Sequence, residues 1–153
     1  MRKRRPATRR RSTGKSGPTR SMLAAMAALA REARERAQAP YSRFKVGSAL
    51  KTRTGEIVTG CNIENASYGL SMCAERVAVF KAVSEGLSDF DAVTVVADSK
   101  RLTPPCGPCR QILWEYCGDV LVHMVDLKGR SRTMRLRELL PMAFDGAFLG
   151  TSK

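Results

Sequence analysis

Cys73-Ala74-Glu75 and, about thirty residues later, Pro105-Cys106-Gly107-Pro108-Cys109 are the most informative stretches of this chain. The first opens a predicted helix that ends at Gly86, and the second opens another that ends at Gly118. Amides without partners at a helix N-terminus stabilise thiolate, the form of cysteine that binds metal. Two such helix starts, brought together, would place three thiolates around one ion, with Glu75 beside them.

Another helix is predicted near the start of the chain, from Ser21 as N-cap to the stop at Ala39-Pro40. Its predicted apolar stripe consists of Leu23, Met26, Leu29 and Ala33. This stripe would face the core of the protein.

The other apolar segments predict five β-strands and a last helical turn. The strands are 44–50, 56–60, 91–97, 120–125 and a short one at 131–134, and residues 136–140 form the turn. With the helices, the order is αββαβαβ(β)α. This order indicates an α/β protein, a three-layer α/β/α fold with a mixed five-stranded sheet.

Charge divides the 153 residues into two parts. Residues 1–20 hold nine Lys and Arg and no acid, so the net charge of +13 leaves only +4 for the rest. A segment so basic and so poor in apolar residues cannot bury enough apolar surface to compensate for the conformational entropy that it would lose on folding. We predict a disordered basic tail at 1–20 and a catalytic domain at 21–150.

The basic tail has two interpretations. It can bind nucleic acid through phosphate contacts, but it has no interleaved aromatic residues, so a solvated extension without a partner is favoured.

A basic stretch before the apolar residues 22–30 imitates a signal peptide, but the helical pattern continues through residues 31–36. No run approaches the ~18 apolar residues of a membrane span. We therefore predict a cytoplasmic protein without a membrane partner.

The chain has five cysteines, and an odd number with one Cys-x-x-Cys pair favours a reducing compartment and metal binding. A Cys-x-x-Cys pair alone is often a structural zinc site or a redox pair. A structural site needs a fourth ligand, which would have to be Cys61, Cys117 or His123, and packing roles suit all three better. Three ligands leave one position open, as in catalytic zinc sites.

The residues next to the thiols have predicted chemical roles. Zinc lowers the pKa of water that it binds toward neutrality. Glu75 is placed to accept the proton of that water and pass it to a substrate, first as general base and then as general acid. Arg76 and Arg110 each directly follow a key residue, and we expect them to hydrogen-bond the thiolates and offset their negative charge.

From Ser21 to Phe148 the chain resembles the cytidine deaminase family, in particular its small, three-cysteine, homotetrameric branch. The segments that carry the resemblance are 41–47, 60–68, Cys73-Ala74-Glu75-Arg76 and Pro105-Cys106-Gly107-Pro108-Cys109-Arg110-Gln111. The basic tail lies outside the family pattern.

The resemblance implies a role for each matching position. One Zn²⁺ per subunit would bind Cys73, Cys106 and Cys109, and Glu75 would be the proton shuttle that also holds pyrimidine N3. Around the substrate, the Ala74 amide would bind O2, Asn62 and Glu64 would grip the ribose 3′-hydroxyl, and Phe44 would pack against the base. In a homotetramer with shared active sites, Phe144 of a neighbouring subunit would cover the base.

The implied function is hydrolytic deamination of cytidine and 2′-deoxycytidine in pyrimidine salvage. One alternative is a related aminopyrimidine substrate, either a nucleoside antibiotic or a base in a nucleic acid. Asn62 and Glu64 favour a free nucleoside, because a gripped 3′-hydroxyl disfavours a phosphodiester. Another alternative is a catalytically silent zinc-binding or nucleic-acid-binding module, against which the presence of Glu75 argues.

Overall fold

The computed structural model describes residues 17–150, which form a five-stranded mixed sheet with helices on both faces. The helices are α1 (Arg20–Glu35), α2 (Ala74–Ser84), α3 (Gly107–Cys117) and α4 (Leu136–Leu139). The strands are β1 (Val46–Thr52), β2 (Ile57–Cys61), β3 (Phe90–Ala97), β4 (Leu121–Val125) and β5 (Ser131–Arg135). Two short 3₁₀ helices lie at Tyr68–Leu70 and Gly146–Leu149. The predicted α/β class and mixed five-stranded sheet are confirmed.

The strand order is β2-β1-β3-β4-β5. Strands β3 and β4 pair in parallel, and α3 forms the crossover between them, while the other three pairs are antiparallel. A parallel pair needs such a crossover because the chain must return to the same end of the sheet.

Two glycines bring the helices close to opposite faces of the sheet. A Cβ atom at Gly47 would lie 1.9 Å from the carbonyl oxygen of Ala30 in α1. A Cβ atom at Gly60 would lie 2.4 Å from the carbonyl oxygen of Ala74 in α2. Only glycine permits such contact, so α1 covers one face and the first turn of α2 presses on the other.

Each face has its own apolar core. On the α2 and α3 side the fully buried residues include Leu50, Val79, Leu113, Val122 and Leu136. On the α1 side a smaller cluster is built of Met26, Ala30, Ala49, Ala92 and Val96. The small side chains on this second face allow α1 to lie close to β1 and β3.

The first helix differs from its prediction at both ends. The N-cap is Thr19, whose hydroxyl accepts a hydrogen bond from the Met22 amide at 3.2 Å, and not Ser21. The helix ends at Glu35 because the following backbone pairs elsewhere: the Gln38 amide donates to the Asn62 carbonyl at 3.0 Å. Tertiary pairing therefore ends α1 before the proline does.

The apolar stripe of α1 also differs. The buried residues of the helix are Met26, Ala30 and Ala33, whereas Leu29, assigned to the stripe, is 36% exposed. The bounds of the other helices and strands lie within two residues of their predicted positions.

The predicted basic tail falls mostly outside the described residues. Residues 1–16 and 151–153 are not among those the structure describes. Of the segment predicted as tail, Arg20 already belongs to α1. Within residues 17–150, no helix has the length and apolar character that crossing a membrane requires.

Candidate active site

Three thiols meet where α2 and α3 begin. Cys73 is the N-cap of α2, Cys106 is the N-cap of α3, and Cys109 lies in the first turn of α3. Their sulfur atoms all lie within 4.8 Å of one another, with 3.8 Å between Cys73 and Cys106 and 3.3 Å between Cys106 and Cys109. The structure thus brings together the three predicted ligands.

The surroundings of Cys73 favour its thiolate form. The hydrogen bond with Cys109 and those with Arg76 and Cys106 lower the pKa of Cys73 to about 5, against the opposing effect of burial. Arg76 donates one of these bonds from Nη2 to Cys73 Sγ at 3.6 Å and another to the Ser71 carbonyl at 3.1 Å. The bond to Cys73 and burial raise the pKa of Cys109 above its usual range, so the cluster holds its protons unequally.

This donor set fits zinc. Cysteine sulfur is a ligand that Zn²⁺ prefers, and three ligands leave the fourth tetrahedral position for water or substrate. Cys61, Cys117 and His123 lie outside the thiol cluster, as their packing roles predicted. Burial raises the pKa of Cys117 to about 12, so this thiol stays protonated. The ligands that the structure offers are therefore Cys73, Cys106 and Cys109.

Glu75 is a buried carboxyl beside the thiols. Its side chain lies on the core side of α2 and the residue is only 4% exposed. Burial raises its pKa to about 7 from an ordinary value of 4.5, and the nearby Cys73 thiolate adds to the increase. A carboxyl that titrates near neutral pH can both accept and donate a proton, as acid–base catalysis requires.

A cavity of about 170 Å³ opens above the thiols and Glu75. Of the predicted site residues, Phe44, Asn62, Glu64, Cys73, Ala74, Glu75 and Cys106 line it. Sequence reasoning missed four further lining residues, Ser42, Val46, Thr103 and Pro104. Ser42 and Val46 belong to the segment 41–47 that carried the family resemblance, whereas Thr103 and Pro104 had no signal beyond their position just before Cys106.

Asn62 lies just beyond the end of β2, and its side chain is fixed by backbone. Its Oδ1 accepts a hydrogen bond from the Val46 amide at 2.8 Å, and its Nδ2 donates to the Phe44 carbonyl at 2.9 Å. These bonds tie the segment before β1 to the end of β2. They also hold Phe44 at the cavity, where it is 38% exposed.

Glu64 is held in a similar way. Its Oε2 accepts hydrogen bonds from the amides of Tyr41 at 3.0 Å and Ser42 at 3.1 Å, and its Oε1 accepts one from the Ser42 hydroxyl. The bond from the Ser42 hydroxyl holds the pKa of Glu64 below its usual value, with help from both amides. The rim of the cavity therefore carries a fixed carboxylate.

Arg110 does not have the contacts that were predicted for it. Its Nε donates to the Pro105 carbonyl and its Nη1 to the Leu139 carbonyl, each at 2.8 Å. Within residues 17–150 the arginine that bonds a thiol of the cluster is Arg76. Arg110 instead ties the loop before Cys106 to the end of α4.

Phe144 lies away from the cavity of its own chain. It is 57% exposed and stacks on Phe148 with ring centroids 5.3 Å apart. The Gln111 side chain donates to the Phe144 carbonyl at 2.7 Å, which anchors this segment to α3.

Comparison with known proteins agrees with this site. The family model "cytidine and deoxycytidylate deaminase zinc-binding region" matches residues 20–124. A cytidine deaminase of Halalkalibacterium halodurans is 54% identical over 114 residues, covering 74% of this chain and 86% of that protein. One of Sporosarcina psychrophila is 48% identical over 118 residues, covering 76% and 87%. The crystal structure of cytidine deaminase from Burkholderia pseudomallei superposes with a TM-score of 0.77 at 44% identity, covering 79% of this chain and 98% of that one. The chain belongs to the cytidine and deoxycytidylate deaminase family.

Proposed function

We propose that this protein deaminates cytidine and 2′-deoxycytidine to uridine and 2′-deoxyuridine by zinc-dependent hydrolysis, with release of ammonia. One observation carries the proposal. Cys73, Cys106 and the buried Glu75 line a single cavity together with Asn62 and Glu64, and Cys109 completes the cluster of three thiols.

The metal would be held by Cys73, Cys106 and Cys109. Zinc, when bound, supplies Lewis acidity that lowers the pKa of water toward neutrality. The Arg76 guanidinium at 3.6 Å from Cys73 Sγ offsets part of the negative charge of three thiolates.

Glu75 moves the protons of the reaction. With a pKa near 7 it accepts one proton from the attacking water and delivers it to N3 of the pyrimidine, where it stays in the product. It then carries the second proton, from the new C4 hydroxyl, to the amine, which leaves as ammonia. The Ala74 amide is in the first turn of α2 and has no partner within the helix, so it donates to pyrimidine O2. Ala74 and Glu75, which are adjacent in the chain, together orient the base with its C4 amine toward the thiols.

The rim of the cavity binds the sugar. The amide of Asn62 and the carboxylate of Glu64 offer a donor and an acceptor for the ribose 3′-hydroxyl. Because Glu64 stays ionised, a 3′-phosphodiester would meet an anion at this place, which favours a free nucleoside. Phe44, partly exposed at the cavity, packs against the base.

The assembly we propose is a homotetramer in which Phe144 covers the base in a neighbour's cavity. Support comes from the exposed apolar side chains of the C-terminal segment: Met142 is 94%, Phe148 72% and Leu149 69% exposed. Exposed apolar patches of this kind mark interaction surfaces. Native mass spectrometry tests it, with a tetramer expected; a monomer at assay concentration would overturn it.

The place of the enzyme is the reducing cytoplasm, in the salvage of pyrimidine nucleosides. The site supports this, because its three cysteines must stay reduced to bind metal. An oxidising compartment would favour a disulfide bond between two of these cysteines, because their sulfur atoms already lie within 4.8 Å of one another.

The direct experiment adds cytidine or 2′-deoxycytidine to the zinc-loaded protein and follows near-ultraviolet absorbance together with ammonia. We expect both nucleosides to be converted. A cytosine-containing nucleoside antibiotic is tested in parallel. If only the antibiotic were converted, the substrate of this protein would be the antibiotic nucleoside and not cytidine or 2′-deoxycytidine, and the proposed substrate would be wrong. Conversion of none, with zinc bound, would refute catalysis of this class.

A further inference from the structure

Ser42 lines the catalytic cavity, and the proposed reaction gives it no direct part. It lies in the loop between α1 and β1, and its hydroxyl makes two hydrogen bonds: it accepts one from the Phe44 amide at 3.0 Å and donates one to Glu64 Oε1. A backbone amide can only donate and an ionised carboxylate can only accept, so the direction of both bonds is determined. The single hydroxyl proton of Ser42 therefore points to Glu64.

The backbone of this loop keeps the Ser42 hydroxyl in place. Arg43, between Ser42 and Phe44, has a φ of 58°, in the left-handed region that non-glycine residues rarely adopt. Its amide donates to the Ala39 carbonyl at 3.0 Å, which closes the turn. Such a conformation persists only where the surrounding bonds hold it, and it is common at ligand sites. The turn thus serves to bring the Ser42 hydroxyl between Phe44 and Glu64.

The carboxylate of Glu64 has one acceptor position left on one particular atom. Each carboxylate oxygen accepts about two hydrogen bonds. Oε2 already accepts two, from the Tyr41 amide at 3.0 Å and the Ser42 amide at 3.1 Å. Among the described residues, Oε1 accepts from the Ser42 hydroxyl alone. A ligand hydroxyl therefore finds its acceptor at Oε1, in the direction that the Ser42 hydroxyl leaves open.

Asn62 offers the matching donor. Its Oδ1 accepts from the Val46 amide, and its Nδ2 gives one of two protons to the Phe44 carbonyl. The second proton of Nδ2 remains for a ligand. A sugar hydroxyl can donate to Glu64 Oε1 and accept from Asn62 Nδ2 at the same time. Ser42 and Asn62 also hold the amide and the carbonyl of Phe44, so the sugar-binding and base-packing residues form one connected network.

We propose that Ser42 positions Glu64 Oε1 to accept the 3′-hydroxyl of the nucleoside, an inference that rests on the proposed function. The only proton of the Ser42 hydroxyl is used on Glu64, so Ser42 acts on the substrate through that carboxylate and is a positioning residue. Without its hydroxyl, the carboxylate keeps the two amide bonds to Oε2 but loses the bond that orients Oε1. A preorganised acceptor binds more tightly than one that must be ordered on binding.

The test compares two nucleosides that differ only in the 3′-hydroxyl, 2′-deoxycytidine and 2′,3′-dideoxycytidine, with the zinc-loaded full chain. In Ser42→Ala, kcat/KM for 2′-deoxycytidine should fall about tenfold, mainly through KM, because a hydrogen bond to a charged group contributes roughly that factor. For 2′,3′-dideoxycytidine the change should stay below about threefold. In a Glu64→Gln background, adding Ser42→Ala should alter the preference for the 3′-hydroxyl by less than about threefold.

A second measurement does not depend on turnover. The hydrogen bond from the Ser42 hydroxyl is the largest effect that holds the pKa of Glu64 below its ordinary 4.5. Carboxyl ¹³C NMR should therefore show a higher pKa of Glu64 in Ser42→Ala than in the parent. The resonance is identified by its absence from Glu64→Gln, and thermal unfolding shows that each variant is folded.

Thr54→Ala is the matched control. The Thr54 hydroxyl donates to the Glu56 carboxylate in the turn between β1 and β2, at the opposite end of this hairpin from Val46 and Asn62, which line the cavity. Hydrogen bonds from Thr52 and Thr54 hold the pKa of Glu56 below its usual value. Thr54→Ala should raise the pKa of Glu56 and leave the pKa of Glu64 and the kinetics with both nucleosides at parental values.

The outcomes separate this proposal from the proposed function. A folded Ser42→Ala variant that kept the parental preference for the 3′-hydroxyl, or the parental pKa of Glu64, would overturn the positioning role alone. An equal loss with both nucleosides would also overturn it, because Ser42 would then support the cavity without acting through Glu64. If the parent deaminated neither nucleoside with zinc bound, the proposed function would be refuted and this role with it.

Discussion

Gly60 is the point where β2 supports the helix that carries the catalytic residues. A Cβ atom there would lie 2.4 Å from the carbonyl oxygen of Ala74 and 2.6 Å from the amide nitrogen of Ala78, both backbone atoms of α2. Ordinary contacts begin near 3.4 Å, so Gly60→Ala must move the first turn of α2 outward by about 1 Å. Because that turn holds Glu75 and follows Cys73, the displacement reaches the reacting groups directly.

The expected effect follows from this displacement. A misplacement of about 1 Å costs on the order of 100-fold in rate, so kcat/KM for cytidine should fall by about two orders of magnitude in Gly60→Ala. Forcing a methyl group into a packed contact should also lower the free energy of unfolding by about 1–3 kcal/mol. Steady-state deamination measures the first consequence and urea denaturation measures the second, with zinc content determined on the same samples.

A second glycine provides the control. Gly69 lies in the 3₁₀ helix at Tyr68–Leu70, where a Cβ atom meets nothing within 4 Å, and its φ is not positive. Gly69→Ala should keep parental activity and stability. If Gly60→Ala retained kcat/KM within about threefold of Gly69→Ala, the reasoning that β2 positions α2 through this contact would be refuted.

Three more predictions concern stability. Leu113 is fully buried in the core beneath α2 and α3, so Leu113→Ala should lower the free energy of unfolding by about 2–5 kcal/mol in urea denaturation. Thr19 caps α1 through the Met22 amide, and Thr19→Ala should cost about 1 kcal/mol by the same measurement. Burial alone raises the pKa of Asp126, but hydrogen bonds led by the Arg130 guanidinium outweigh it and hold the pKa below 3.8. Ionised Asp126 therefore contributes to the free energy of unfolding above its ordinary pKa, and this contribution is lost as pH falls through the folded-state pKa. The stability difference between the parent and Asp126→Asn should therefore be largest near neutral pH and shrink in acid, and a difference that grew in acid would contradict it.

The parts of the site that local sequence determines were predictable. Cys73 and Cys106 each stand at the start of a helix whose end Gly86 or Gly118 marks, and the start and end signals lie 13 and 12 residues apart in the sequence. The short spacing between Cys106 and Cys109 places both thiols at the start of one helix. Glu75 could be located beside them for the same reason.

The parts that depend on distant chain segments were not predictable. Arg110 follows a ligand in sequence, yet its guanidinium binds the carbonyl of Leu139, which lies 29 residues further on. The end of α1 is set by backbone pairing of Gln38 with the segment after β2, which overrides the helical pattern. Thr103 joins the cavity only because the loop before α3 lies over the site.

The central claim is that Glu75 transfers protons at a zinc ion held by three cysteines, and Glu75→Gln tests it most directly. Zinc content and cytidine turnover are measured on the same samples of parent and variant. We expect one zinc ion per chain in both, with turnover in the parent and a loss of at least about 100-fold in the variant. A variant that still deaminates cytidine at the parental rate, or that loses its zinc, would contradict the role of Glu75.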